Sequence, residues 1–152
     1  MDLGVYPITI LVGLFGIPNH CSYLCNKFAN GIDVSGVITL KYPDFIAVAT
    51  VAKDTTGLNF MTFNGDKAYL KADKAPSSVS QVLLVEKDKS TELGSIQQPL
   101  TMSYEIKDFY EVIVNHDDQR YLQWMNVTEM AFKVLDDCRR QASLVFTADG
   151  VK

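Results

Sequence analysis

Phe45-Ile46-Ala47-Val48-Ala49-Thr50-Val51-Ala52 decides the fold class of this chain. The stretch is rich in β-formers and shows no polar alternation, and neither does Val82-Leu83-Leu84-Val85. A strand in an antiparallel sheet with one wet face alternates apolar and polar residues. Both stretches are therefore expected to be strands covered on both faces. Around them lie more strand signals: His20 to Phe28, Gly36 to Tyr42, Leu58 to Phe63, Lys67 to Ala72, Ser78 to Lys87 and Thr91 to Gln97. Asn64-Gly65 separates two of these runs and is the strongest short hairpin signal in the chain.

The strands are bracketed by helices. Leu3 to Phe15 is almost wholly apolar and stops at Gly16 and Pro18. Pro7 fits only near a first turn, which places the true start close to Val5. Such a helix is expected to be buried on most sides. Near the other end, Ser103 is placed to cap a helix bearing Ile106, Phe109, Tyr110 and Ile113 on one face. A longer helix from Leu122 to Leu144 is expected to bury Met125, Thr128, Phe132, Leu135, Cys138 and Ala142. Its expected wet side is Glu129, Lys133, Asp136 and Arg140. Helix, strands, then helices is a segregated order. It predicts a single α+β domain over residues 1–152, with an open, mostly antiparallel sheet and helices packed on one face. Helices cover only one face, so the other is expected to serve a homo-oligomer, at least a dimer.

Composition sets the outer limits. A chain of 152 residues, 47% hydrophobic, supports a real core. Its net charge of −4 and scattered basic residues, with Arg139-Arg140 the only adjacent pair, argue against a nucleic-acid partner. Cys21, Cys25 and Cys138 do not make a disulfide framework, which points to the cytoplasm. With only His20 and His116 besides, no metal site is expected. The first apolar run is about half the length that crosses a bilayer, and Pro7 and Gly13 interrupt it, so no membrane partner is expected. Asn126-Val127-Thr128 matches a glycosylation sequon but lies within a predicted helix.

Asp2 and Tyr6 are the candidate chemistry. They stand four apart at the head of the first helix, so they share a face one turn apart. A positioned phenol beside a carboxylate can move a proton. The plainer reading is that Asp2 caps the helix and Tyr6 packs.

Three stretches resemble the C-terminal domain of the Gfo/Idh/MocA family of nicotinamide-dependent oxidoreductases. They are Met1-Asp2-Leu3-Gly4-Val5-Tyr6-Pro7-Ile8 with Leu14-Phe15-Gly16-Ile17-Pro18, then Phe63-Asn64-Gly65-Asp66-Lys67-Ala68-Tyr69-Leu70, and finally Tyr104 to Phe109 with Val134 to Ala142. Their order and spacing cover nearly the whole chain. The resemblance implies a parent enzyme acting on a sugar, polyol or diol, with NAD or NADP held mainly by an N-terminal Rossmann domain. This chain has no G-x-G-x-x-G after a strand, so the fragment alone is expected to be inactive.

Where many members carry histidine, as in the inositol dehydrogenase type, this chain has Tyr6. That looks more like the dihydrodiol dehydrogenase and glucose–fructose oxidoreductase branches. By resemblance, Tyr6 exchanges a proton with the substrate oxygen and Asp2 orients the network. A lysine of the Rossmann domain would favour the phenolate. A stand-alone dimeric binding or scaffold module that lost its chemistry is the alternative reading.

Overall fold

The computed structural model of the chain describes residues 1–95 and 102–150. It is an α+β structure. A 3-10 turn, Asp2–Gly4, leads into α1 (Val5–Phe15), followed by β1 (His20–Lys27), β2 (Asp33–Lys41), β3 (Ile46–Ala52), β4 (Met61–Asn64), β5 (Ala68–Ala72), β6 (Gln81–Glu86), β7 (Lys89–Ser95), α2 (Ser103–Val114) and α3 (Asp118–Gln141). The strands form two open sheets, β1-β2-β3 and β4-β5-β6-β7, and every pairing is antiparallel. The chain divides accordingly into two compact units. One is Met1–Thr56 with Tyr121–Lys152, and the other is Gly57–Arg120.

In the first unit, Pro7 sits in the first turn of α1, where a missing N–H costs nothing. Gly16 ends the helix at φ +75°, its N–H returning to the Val12 carbonyl at 2.9 Å. Register sets the inner face of the sheet: Cys21 stands opposite Leu40, and Ile38 stands between Tyr23 and Ala49. These side chains join Ile8 and Val12 of α1, and Ala131, Val134 and Cys138 of α3, in one core. Tyr42, just past β2, stacks on Phe45 and donates its hydroxyl to the Gly16 carbonyl, tying the strand turn to the helix exit.

Two expectations of burial, on α3 and on α1, need correction here. The stripe on α3 is Val127, Ala131, Val134 and Cys138, while Phe132 and Met125 are exposed. Of the expected stripe, Leu135, Cys138 and Ala142 do pack in or against the core, so the buried face overlaps the expected one but is shifted toward Val127, Ala131 and Val134. On α1, only Ile8 and Val12 are buried, and Tyr6, Thr9 and Gly13 face outward. β3 is covered on one face only within this chain: Ala49 points inward, while Ile46 and Val48 are 60% and 62% exposed. Leu24 and Val37 share that outer face by register, because Leu24 pairs with Val37 and Thr39 with Val48.

In the second unit, the Asn64-Gly65 turn joins β4 to β5, with Gly65 N–H to Ala68 O at 2.9 Å. Asp73 closes the next connection. It accepts from Ser80 N–H, Gln81 N–H and Ser80 Oγ at 3.1, 3.0 and 2.6 Å, and the Ser80 hydroxyl above all brings its pKa down to about 2. The expected strand Thr91 to Gln97 is observed as Lys89–Ser95, its last two residues lying outside the described ones. Met102, not Ser103, is the cap residue of α2, and Ser103 is the first helical residue. Arg120 ties back to α2 through Asp108 at 3.0 Å.

Candidate active site at the head of the first helix

Tyr6 lies in the first turn of α1 and is 47% exposed. Its hydroxyl makes no hydrogen bond among the described residues. Asp2 precedes it in the 3-10 turn. Such a turn winds more tightly than an α-helix, which rotates Asp2 away from a strict i, i+4 alignment with Tyr6. The structure does not join the two by a hydrogen bond. Asp2 Oδ2 accepts instead from Lys53 Nζ at 2.5 Å, just past the end of β3. That hydrogen bond, with the ammonium charge behind it, holds the Asp2 carboxyl below the usual carboxylate range.

Beside this pair is a recess lined by Asp2, Asp33, Ser35, Val51 and Lys53. Its inner wall is built on Asp33, whose side chain is only 9% exposed. Asp33 accepts from the Met1 ammonium, which immediately precedes Asp2, and from Tyr23 Oη at 2.6 Å. Burial pushes the Asp33 carboxyl up, but these two donors outweigh it and leave it low. Tyr23 is driven strongly upward, first by burial and then by donation to Asp33. Its ring lies directly over Gly36 of β2: a Cβ there would stand 2.5 Å from Tyr23 Cε2 and 2.7 Å from the Leu24 carbonyl. So the absence of a side chain at Gly36 lets Tyr23 reach Asp33.

Lys53 and Asp33 were not picked out in the sequence. The available signal was faint: one lysine closing an apolar strand, and one aspartate opening another. His20 is exposed at the head of β1, and Trp124 is half-buried on α3. Cys138 and Cys21 are buried together, and burial first, then the Cys21 thiol, pushes Cys138 up to about 12, which disfavours its thiolate. Among the described residues no group of three or more histidine, cysteine or carboxylate side chains is placed to hold a metal, and no helix is long and apolar enough to cross a membrane.

Along its whole length the chain is 26% identical to YgjR, an uncharacterized oxidoreductase of Escherichia coli (strain K12), and covers 46% of that protein. Over 98% of its length it is 26% identical to IolU of Bacillus subtilis (strain 168), a scyllo-inositol 2-dehydrogenase (NADP(+)), and covers 45% of it. The chain resembles the C-terminal half of an oxidoreductase. It spans about half the length of the curated relatives it matches. No protein-family model matches it. The fold agrees: a Klebsiella pneumoniae protein described as an oxidoreductase superposes with a TM-score of 0.68 at 14% identity, over 94% of this chain and 47% of that one. YvaA of Bacillus subtilis, described the same way, gives 0.56 at 13% identity over 90% and 48%. The likeness to a Gfo/Idh/MocA-type C-terminal domain read from the residues is consistent with all four.

Proposed function

We propose that this chain is the substrate-facing and oligomerisation half of an NAD(P)-dependent oxidoreductase acting on a sugar, polyol or diol. The observation that carries the reading is the end-to-end match to two oxidoreductases over just under half of each. The likeness to IolU, a scyllo-inositol 2-dehydrogenase (NADP(+)), favours a polyol substrate and a nicotinamide cofactor.

The residues present suit that chemistry on the proton side. A bound nicotinamide would supply or take up the hydride at the substrate carbon. Tyr6 would present its outward hydroxyl to the substrate oxygen and give it the proton as the carbonyl becomes an alcohol; in oxidation it would take that proton back. Asp2, ionised and held by Lys53, would fix the local charge one turn away. No residue of this chain is assigned to holding the dinucleotide. Titrating NADPH and NADH into the chain by calorimetry is expected to give no submillimolar binding. Submillimolar binding to this chain alone would overturn the division of labour.

The outer face of β1-β2-β3 is the proposed oligomer surface. Leu24, at 79% exposed, joins Val37, Ile46 and Val48 there in one apolar patch. A two-fold contact through it is the simplest closed arrangement, since one patch serves both copies. Light scattering across a dilution series is expected to show a dimer that Val48→Asp converts to a folded monomer. A wild-type chain that stays monomeric at high micromolar concentration would rule this surface out.

A further inference from the structure

We propose that Cys21 and Cys138 form a redox site, which hydrogen peroxide converts to a disulfide that pins the last turn of α3 to β1.

The two thiols meet inside the core of the first unit, Cys138 at 0% exposed and Cys21 at 6%. A hydrogen bond joins one side chain to the other. Gln141 stands three residues after Cys138, so the two share a face of α3. Its Nε2 donates to the Cys21 carbonyl at 2.9 Å and reaches Cys21 Sγ at 3.9 Å. Both residues of that face therefore dock on Cys21, and Gln141 comes from 120 positions along the chain. The third thiol is placed differently. Cys25 lies four residues along β1, about 13 Å from Cys21 at the rise of a strand. A disulfide spans only about 4–7 Å between Cα atoms, so those two cannot link without rebuilding the strand.

The step balances with the peroxide as oxidant. The sulfur of Cys21 attacks a peroxide oxygen, the O–O bond breaks, Cys21 becomes a sulfenic acid and one water leaves. The sulfur of Cys138 then attacks that of Cys21. The S–O bond breaks, the S–S bond forms and a second water leaves. Two thiols give up two electrons and two protons, and the peroxide becomes two waters.

The closed chain resists this reaction, because burial shuts out the oxidant and holds Cys138 protonated. Access comes from the end of α3. Cys138 and Gln141 lie in its last turn, and helix ends open locally at low cost. Just past the helix, the Ser143 carbonyl is held by an exposed bond from Lys27 Nζ at 3.1 Å. Opening of that turn bares both sulfurs together. Once they are joined, the same turn no longer lifts from the sheet.

The test treats the chain with hydrogen peroxide, digests it unreduced with chymotrypsin, which cuts at Tyr23 between Cys21 and Cys25, and maps the peptides by mass. The expected result is a loss of two hydrogens and a link between the Cys21 and Cys138 peptides, reversed by dithiothreitol. The thermal midpoint should rise by about 5 °C or more, since the closed loop is long. Cys25→Ser should crosslink as the wild type does. Gln141→Ala removes a bond that holds the turn and should speed crosslinking about fivefold. Met102, 62% exposed, gauges the oxidant dose. Free thiols at Cys21 and Cys138 after Met102 has become the sulfoxide would overturn the inference. So would a link through Cys25, a link between chains, or a midpoint that does not rise. An unchanged rate in Gln141→Ala would overturn the opening of the last turn as the gate.

Discussion

Replacing Tyr6 with phenylalanine is expected to lower kcat about a hundredfold or more in the assembled enzyme, with the fold untouched. The substitution keeps the ring and removes only the hydroxyl that would exchange a proton with substrate. General acid–base groups contribute roughly 10²–10⁴-fold, so the loss should reach at least the lower bound. Stability should change by less than about 0.5 kcal/mol, because the hydroxyl is exposed and bonded to nothing among the described residues. The split matters more than the size. A drop in kcat with an unchanged unfolding midpoint marks chemistry. An activity within a few-fold of wild type would return Tyr6 to ordinary packing and leave the proton to another group.

The largest structural effect is expected at Gly36. Alanine there would force a methyl to within 2.5 Å of the Tyr23 ring and 2.7 Å of the Leu24 carbonyl, and the second of these is backbone in a paired strand. Overpacking of this kind costs about 1–3 kcal/mol. Displacing Tyr23 would also strip a donor from Asp33, whose side chain is nine-tenths buried, and an under-bonded buried polar group adds about 1–3 kcal/mol. Gly36→Ala should therefore destabilise the first unit by about 3 kcal/mol or more. Urea unfolding followed by far-ultraviolet circular dichroism reads it directly. A loss under about 1 kcal/mol would mean that the ring moves aside freely and that the Tyr23–Asp33 bond matters little.

How far the sequence led depends on what each signal measures. Element types were legible because they follow from local pattern: the Asn64-Gly65 hairpin, the Gly16 stop and the apolar β3 all appear where the residues put them. The partition into two sheets was not legible. Nothing in Lys53 to Leu58 distinguishes a loop within one sheet from a passage between two, since pairing partners are chosen by non-local packing. Phase on α3 was only partly legible, for a related reason: Leu135, Cys138 and Ala142 pack as the pattern implies, but Met125 and Phe132 do not. Phe132 and Met125 are the large residues, but Ala131 is the one the sheet accepts, and size alone does not say which face a neighbour will approach. At the candidate site, Asp2 and Tyr6 could be singled out because they are close in sequence, although the structure joins Asp2 to Lys53 and not to Tyr6. Lys53 lies |i−j| = 51 away from Asp2, and Asp33 lies 32 from Met1, so only the folded sheet brings them there.

The discontinuous first unit has a consequence for how the protein is made. A ribosome delivers Met1–Thr56 before all of Gly57–Arg120, and only afterwards Ala131, Val134 and Cys138. The intervening unit pairs its strands in sequence order, β4 to β7, so it can close as it emerges. The β1-β2-β3 sheet cannot. At roughly 5–20 residues per second it waits on the order of ten seconds with Ile38, Leu40 and Ala49 unprotected by α3. Nascent chains of this protein therefore pass through a stage in which the inner face of that sheet has α1 against it but not yet α3, and a transcript truncated before Ala131 would release that stage as a product. The arrival of α3 is what completes the cover of Ile38, Leu40 and Ala49.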